Sequence, residues 1–440
     1  AATQDREMLD ALGINPAPLM LGVVMLGCAL AGLAGALQLP REPANLQMDV
    51  SMVVETFVVV VTGGLGSVGG AFAAAVLIGV IHALGVALVP EATLVLVFLT
   101  MAVVLVLRPQ GLAGGRAQLA QREPVTVFSH APGGRRGMAL WGLLLMAALW
   151  ALSQGDYTRS LAEDVMVMAL FGLSLQWMMA LGGLVSFGHA AFFALGAYAA
   201  ALTHLNWGFG LLAALASGVL VALVAALVLG LLVVRLSGVY MAMLSLALAQ
   251  MVWAGVTQWV ALTGGDNGLI GLQLVPAEDR LWFALALSLV VSVALALLAR
   301  ASRSSRGGAL QALRDAPGRA AASGLPVNGL RHQVFVWSAA LAGLAGGLWA
   351  AAKGAVFPSV ASVSTSVDAL LVILLGGVHQ LWGAVLGSAL LVWGGAELGQ
   401  GLEYWRGVLG LVIMGVMVLA PSGLAGGLQQ AVWRLRGRSA

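Results

Sequence analysis

The chain has 440 residues, of which 60% are hydrophobic and 9% charged, against the roughly 25% charged expected of a soluble domain. This balance excludes an ordinary soluble enzyme and reads as a polytopic all-α transmembrane protein, since a bilayer-spanning helix needs about 20 consecutive apolar residues. The net charge of +3, from 21 Lys+Arg and 18 Asp+Glu, implies no nucleic-acid partner, because the arginines flank apolar runs as the positive-inside rule expects.

Residues 1–15 are polar and carry neither an initiating Met nor a signal-peptide pattern, so a truncated or processed start is expected. Within them TQDREMLDALGIN, Thr3 to Asn15, has helix formers from Asp5 to Leu12 and then Gly13, where a helix would stop. Apolar spans are predicted over 17–39, 50–62, 68–89 and 93–107; Cys28, the only cysteine, lies in the first and permits no intrachain disulfide. The stretch Arg108 to Gly137 has five Arg (108, 116, 122, 135 and 136) against Glu123, with Pro and Gly throughout, and reads as a cytoplasmic linker. Ten more spans are predicted over 138–152, 165–181, 184–204, 209–234, 239–262, 281–299, 333–352, 367–378, 383–398 and 407–420. The resulting 14 crossings place Arg235, the block Arg300 to Arg331 and the tail arginines 434, 436 and 438 inside. Asp156, Glu163, Asp266, Glu278, Asp279, Glu397 and Glu403 then fall outside.

A long-range repeat divides the chain. ALAGLAG occurs at 29–35 and again at 340–346, offset by 311. ALGIN (11–15) lines up with ASGLP (322–326) at 311, VTGGLGSVGGA (61–71) with LLGGVHQLWGA (374–384) at 313, and LRPQGLAGG (107–115) with LAPSGLAGG (419–427) at 312. Four blocks in one order at nearly constant spacing indicate a duplication, in which the second copy carries an extra N-terminal part, roughly 138–299, that the first lacks. Paired homologous halves are common in transporters, where the pathway lies between the repeats.

Three polar places remain for mechanism. The first is the pair of matched loops, 3–15 and Leu313 to Val327 (LRDAPGRAAASGLPV). Each is open to two readings, a short cytoplasmic helix ending in Gly that docks a soluble motor, or a solvated connection. The second is LGGLVSFGH, 181–189, where Gly182, Gly183 and Gly188 can unwind a helix and Ser186 and His189 then present hydrogen-bonding groups. Here a His satisfied by a neighbouring carbonyl is the competing reading. The third is TGGDNG, Thr263 to Gly268, whose glycines let backbone amides face a carboxylate, or which forms an ordinary turn or a docking surface. No His, Cys or carboxylate spacing resembles a metal site.

LGIN, VVVVTGGLGSVGGA (58–71) and LRPQGL (107–112) resemble the C-terminal half of a LivH-type permease of branched-chain amino acid ABC importers. GLVSFGHAAFFALGAYAAAL (183–202), RLSGVYMAMLSLALAQ (235–250), LTGGDNGLIGL (262–272) and LRDAPGRAAASGLPV resemble the partner LivM-type permease. HQLWGA and APSGL depart from the family's usual pattern there but keep the helix break and the stop. The resemblance implies residues 1–115 as a LivH-type half, 116–137 as linker, 138–428 as a complete LivM-type unit and 429–440 as a basic tail. It implies that Asp5, Arg6, Glu7 and Gly13, with Arg314, Asp315, Arg319 and Gly324, belong to coupling helices seated in two ATP-binding subunits. It further implies a periplasmic substrate-binding protein, room for another permease chain, and the inner membrane of a bacterium. ATP would then be bound by the partners and no cofactor by this chain, which has no GxxxxGK[ST] loop. The translocation path is expected near Gly183, Ser186, Gly188, His189, Thr263 and Asn267.

The function expected is therefore a non-enzymatic permease for branched-chain or similar small amino acids, with urea or short amides as alternative substrates. An ion-coupled transporter needs ionisable residues deep in the membrane, and Glu55 is the main one expected. A membrane enzyme would need a catalytic constellation that the sequence does not offer.

Overall fold

In a hydrocarbon environment every backbone amide needs an internal partner, which favours helices, and the computed structural model is helical almost throughout its described residues. These are residues 13, 15–40, 43–44, 48–90, 93–114, 155–236, 238–401, 404–420 and 422–427. The predicted span at 138–152, Arg116, Arg122, Arg135 and Arg136 of the linker, Glu403, the arginines of the tail, and Asp5, Arg6 and Glu7 lie outside them.

The chain forms two units, residues 1–55 and 56–440. In the first, α1 (Pro16–Gln38) starts where the Asn15 side chain accepts from the Ala17 amide at 3.0 Å and Pro16 occupies the first turn, where its missing N–H costs nothing. Helix α2 (Met48–Gly63) begins in this unit and ends in the second.

The second unit continues with α3 (Val68–Leu88), α4 (Thr93–Leu107), α5 (Asp156–Gln176), α6 (Ala190–Trp207), α7 (Leu211–Val233), α8 (Val239–Gln258) and α9 (Arg280–Ser302). Two short helices, α10 (Ser305–Asp315) and α11 (Pro317–Ala322), precede α12 (Val327–Lys353). Then come α13 (Val363–Gly376), α14 (Gly383–Ser388), α15 (Gly394–Gly401) and α16 (Trp405–Leu419). Seven of the described helices are long and apolar enough to cross a membrane, and four shorter ones are apolar. Strands β1 (Leu269–Ile270) and β2 (Ala355–Val356) pair antiparallel, Leu269 opposite Val356.

Burial separates an inner from an outer ring. The apolar windows of α5, α8 and α12 are each 72% buried, against 28% for α7 and 39% for α9. Exposed side chains such as Leu212, Leu220, Val228, Leu289 and Leu297 on the outer two helices suit contact with lipid chains. Inside, α6, α7 and α12 touch backbone to backbone. A Cβ on Gly196 would overlap the Gly343 carbonyl, and one on Gly346 the Phe193 carbonyl, while Gly218 stands against Gly196. Gly343 and Gly346 belong to the second ALAGLAG, so the repeated heptad is the seam of this three-helix contact.

The duplication is visible in the backbone. Helices α1 and α12 start 311 residues apart, and α4 and α16 start and end 312 apart. Gly64 and Gly377 stand at φ +104° and +108°, and Gly111 and Gly423 at +78° and +76°. The same bonds recur: Gly64 N to Val60 O (3.0 Å) and Gly377 N to Ile373 O (2.8 Å), then Ser67 N to Gly64 O and Gln380 N to Gly377 O, each 3.1 Å. In each copy the stop after the last helix folds back on the Gly-Gly break, Gly111 against Gly64 and Gly423 against Gly377. One difference is that α3 is continuous, whereas its counterpart is split by a π-turn, Ala389–Trp393.

Three expectations need correction. Helix α5 starts at Asp156 rather than 165, so Glu163 and Asp164 sit on the helix instead of in a loop; Asp156 suits the positive end of the helix dipole, and Asp164 pairs with Lys353 at 2.7 Å. Helix α6 starts at Ala190, not 184, because the Gly-rich segment before it stays non-helical. The loop expected as a single short helix is two, since Pro317 starts a new helix after Ala316 leaves helical geometry at φ −153°.

Candidate functional site

A cluster of buried polar residues, among them Ser174, Ser186, His189, Ser245, Ser338 and Ser366, lies around the break between α5 and α6. Helix α5 ends in a π-turn, Trp177–Leu181, of the kind that single-turn insertions form inside helices. Gly183 follows at φ +64°, and residues 183–188 continue without helix. Gly188 is obligatory by space, since a Cβ there would collide with the Ser245 carbonyl of α8.

Serine hydroxyls tie the break to the surrounding helices. Phe187 N donates to Ser245 Oγ of α8 (3.1 Å), Gly188 N to Ser186 Oγ (3.3 Å), and Ala190 N, first in α6, to Ser366 Oγ of α13 (3.0 Å). Ser366 thereby satisfies one of the amides that a helix start leaves open. His189, 1% exposed, lies between α5 and α12, with Nε2 2.8 Å from Ser174 Oγ and 3.4 Å from Ser338 Oγ.

The hydrogen bonds of those serines favour one tautomer of the imidazole. Ser174 donates its proton to Phe171 O (2.6 Å), and Ser338 donates to Ser174 O (2.5 Å). Both oxygens are therefore acceptors towards Nε2, which carries the hydrogen. The opposite nitrogen, Nδ1, is buried with no hydrogen-bond partner in the structure, and is left as an acceptor. The ring stacks on Phe171 at 5.5 Å between centroids and 15° between planes.

Two further side chains anchor the C-terminal end of α5. Gln176 Nε2 donates to Val378 O (2.9 Å) and Gln380 O (2.5 Å), in the break between α13 and α14. Arg314, at the end of α10, donates from Nη1 to Ala180 O (2.5 Å) and from Nε to Asp315 Oδ1 (2.8 Å). The site is thus neutral in its interior, built from hydroxyls, amides and an imidazole, with a paired arginine at its edge. Among the described residues no group of three or more His, Cys, Asp or Glu gathers as a metal site would need. Such a lining can bind a polar solute by hydrogen bonds.

The family model for "Branched-chain amino acid transport system / permease component" matches residues 1–107 and 157–420. The chain belongs to this family. The permease is 28% identical over 318 residues to the high-affinity branched-chain amino acid transport system permease protein LivM of Escherichia coli K12, and equally to that of Salmonella typhimurium LT2. Each match covers 66% of this chain and 75% of the relative. No solved structure matches. The chain is accordingly a multi-pass membrane permease component of an ABC importer.

Of the site residues named from sequence, the permease brings Gly183 against Arg314, and Ser186, Gly188 and His189 into one knot. Thr263 and Asn267 are elsewhere. Ser245, which holds the break, and Gln258, which ends α8, are about 20 Å apart along the helix at 1.5 Å per residue, and Thr263 lies beyond Gln258. Thr263 Oγ1 donates to Val256 O (2.6 Å), and the Gly265 amide donates back to Thr263 Oγ1 (3.4 Å). With the Gly268 amide bonded to Gly265 O, two of the loop's amides close the turn itself, while Asp266 and Asn267 are exposed.

Gly324 stands at φ +81° and Gly13 at +76°. After α11 the Leu325 amide donates to Ala320 O at 3.2 Å and the Gly324 amide to Ala321 O at 3.0 Å, a glycine stop of the kind expected. Arg319 and Asp315 are exposed, whereas the Arg314 side chain is 10% exposed. Sequence reasoning missed Gln176, Ser174, Ser245, Ser338 and Ser366. A polar residue at an otherwise apolar helix position was the available signal, but it does not say which neighbour is met. It also missed Asp368 on α13, a carboxylate inside an apolar helix.

Proposed function

We propose that the permease forms the inward path for leucine, isoleucine, valine or a similarly small amino acid, with urea and short amides as the alternative cargo. ATP would be hydrolysed by two separate ATP-binding subunits, and a periplasmic binding protein would deliver the substrate. The observation that carries this reading is the duplicated backbone pattern, two glycine-ended loops at φ +76° and +81°, in a chain whose relatives are named as branched-chain amino acid permeases. Residues 1–115 are read as a LivH-type half and 138–428 as a LivM-type unit, with the loops around Gly13 and Gly324 as the seats for the two ATP-binding subunits. Asp5, Arg6 and Glu7 would complete the first seat, and Asp315, Arg319 and Gly324 the second. The break at 183–189 would line the path, with Ser186 and His189 offering hydrogen bonds to the ammonium or carboxylate of the cargo, and Thr263 to Asn267 would face its entrance.

The test is uptake of labelled leucine and labelled urea by cells that hold the two ATP-binding subunits and the binding protein, with and without this chain. Leucine uptake that needs both the chain and ATP supports the reading. ATP hydrolysis by the purified chain alone, or uptake that follows an ion gradient without ATP, overturns it.

A further inference from the structure

We infer that Arg314 is a positioning residue that links the cytoplasmic helix pair α10 and α11 to the helix break at 182–189. The inference rests on the proposed function, in which that pair receives the ATP-binding subunit.

The argument begins with a carbonyl. In an uninterrupted helix the Leu184 amide would bond to Ala180 O, but here it bonds to Met178 O at 3.3 Å, and Gly183 N bonds to Met179 O at 3.1 Å. The π-turn and the break thus turn the Ala180 carbonyl away from its helical donor, and a buried carbonyl left so is costly. Arg314 supplies the donor from 134 residues away in sequence. Its stem runs across Gly183, where a Cβ would stand 2.5 Å from Arg314 Cγ. Gly183 therefore serves two needs, a left-handed backbone at φ +64° and clearance for the arginine. Asp315, the next residue, takes the Nε hydrogen and balances the guanidinium charge. Leu313, wholly buried, sits one residue before Arg314 and seats the end of α10.

A docking residue would spend its charge outward, as the exposed Arg319 does. Arg314 spends it inward, on the last turn of α5. Displacement of α10 therefore pulls directly on Ala180 and Gly183, and through the 183–188 segment on Ser186 and His189. A guanidinium is suited to this because its fork holds two acceptors at once in fixed geometry. In the first copy the position aligned with Arg314 at offset 311 is Thr3, so the link belongs to the second copy.

The experiment uses the full chain reconstituted with its ATP-binding subunits and binding protein, with leucine as the transported probe. Arg314→Ala should keep the ATP-binding subunits bound and keep basal ATP hydrolysis, while leucine moved per ATP falls at least tenfold. Arg314→Lys should recover a large part, because its ammonium can still reach the Ala180 carbonyl. Gly183→Ala should reproduce the loss, and adding it to Arg314→Ala should cost little more. Arg319→Ala, by contrast, should weaken retention of the ATP-binding subunits.

A second measurement does not depend on cargo or ATP. With Cys28→Ala as background, Val185→Cys reports the break in the chain alone. Arg314→Ala should raise its alkylation rate severalfold, and Arg314→Lys should not. The inference is overturned if that rate is unchanged, or if Arg314→Ala loses the ATP-binding subunits in a salt-dependent way as a docking residue would. Absence of ATP-dependent leucine uptake by the wild-type assembly is a different result, which counts against the proposed function and leaves the alkylation arm to decide the link.

Discussion

Gln176 on α5 donates its amide hydrogens to carbonyls at Val378 and Gln380, 202 and 204 residues later in the chain. The contact ties the broken helix to the Gly-Gly break of the second repeat, where the backbone turns at Gly377 (φ +108°) and leaves carbonyls without helical donors. Gln176→Leu removes the donors and leaves those acceptors unpaired, which should cost about 1–3 kcal/mol. Gln176→Glu should be worse, because it places acceptor oxygens against acceptor carbonyls. Thermal unfolding in detergent should rank wild type above Leu and Leu above Glu. Equal stability of Glu and wild type would mean that the side chain does not hold the break.

For His189 the structure assigns the hydrogen to Nε2, so the two amide residues are not equivalent substitutes. The nitrogen of a Gln side chain falls near Nε2 and can still donate to Ser174 Oγ, whereas that of Asn falls near Nδ1. His189→Gln should retain more stability than His189→Asn, with a difference of about 1 kcal/mol for the lost donor. Both lose the stacking on Phe171. The reverse order would place the working hydrogen on Nδ1.

Much of this architecture was legible beforehand, and the reasons are local. A glycine that must adopt positive φ leaves a mark no other residue can replace, so Gly64, Gly111, Gly377 and Gly423 were readable as breaks and stops, and their constant offsets disclosed the repeat. Helix starts were less readable. Glu163 and Asp164 looked like loop residues because charges are unfavourable in a bilayer, yet a helix can begin in the polar zone and carry them inward when a partner such as Lys353 is present. Long-range contacts within the chain were illegible. Nothing within α5 says that Gln176 meets Val378 or that Ala180 meets Arg314, since both pairings are set by how distant helices cross.

The paired stops give a direct test of the shared geometry. Gly111 stands against Gly64, and Gly423 against Gly377, with backbone atoms where a Cβ would go. Gly13 and Gly324 also have positive φ, but among the described residues beyond their chain neighbours no atom lies within 4 Å of their Cβ positions. Alanine at 324 should therefore cost only the left-handed backbone, about 1–2 kcal/mol. At 423 the same change adds a backbone collision and should cost distinctly more, and Gly111→Ala should behave like Gly423→Ala. Denaturation of the three variants in one detergent gives the ranking, and equal losses at 324 and 423 would contradict the close approach.

Topology can be read with a membrane-impermeant thiol reagent. The end of the bundle that bears Ala180, Arg303 and Arg314 is opposite the end that bears Asp164, Lys353 and the β1–β2 pair. By the positive-inside rule the arginine-rich end is cytoplasmic. In a Cys28→Ala background, Asp266→Cys should be labelled from outside intact cells, and Arg303→Cys only after the membrane is opened. External labelling at 303 would invert the assignment.

The last prediction concerns the glycine that ends α11. An added Cβ at Gly324 meets open space, so the cost of giving this position a Cβ comes from φ +81°. Valine resists that region more than alanine because its branched Cβ crowds the backbone. The stop made by the Leu325 and Gly324 amides should then loosen, and α11 should lose its fixed direction relative to α12. The spans themselves lie outside the affected turn, so membrane insertion should be normal. If α10 and α11 form the seat of an ATP-binding subunit, Gly324→Val should separate ATP hydrolysis from transport, with hydrolysis continuing while leucine uptake falls at least several-fold. Gly13→Val should act likewise if the first copy provides a second seat. Reconstituted wild-type and variant assemblies, compared for uptake per ATP and for copurifying ATP-binding subunits, decide between the two roles. Wild-type ratios in both valine variants would show the loops to be solvated connections, because a connection tolerates a change of direction that a seat does not.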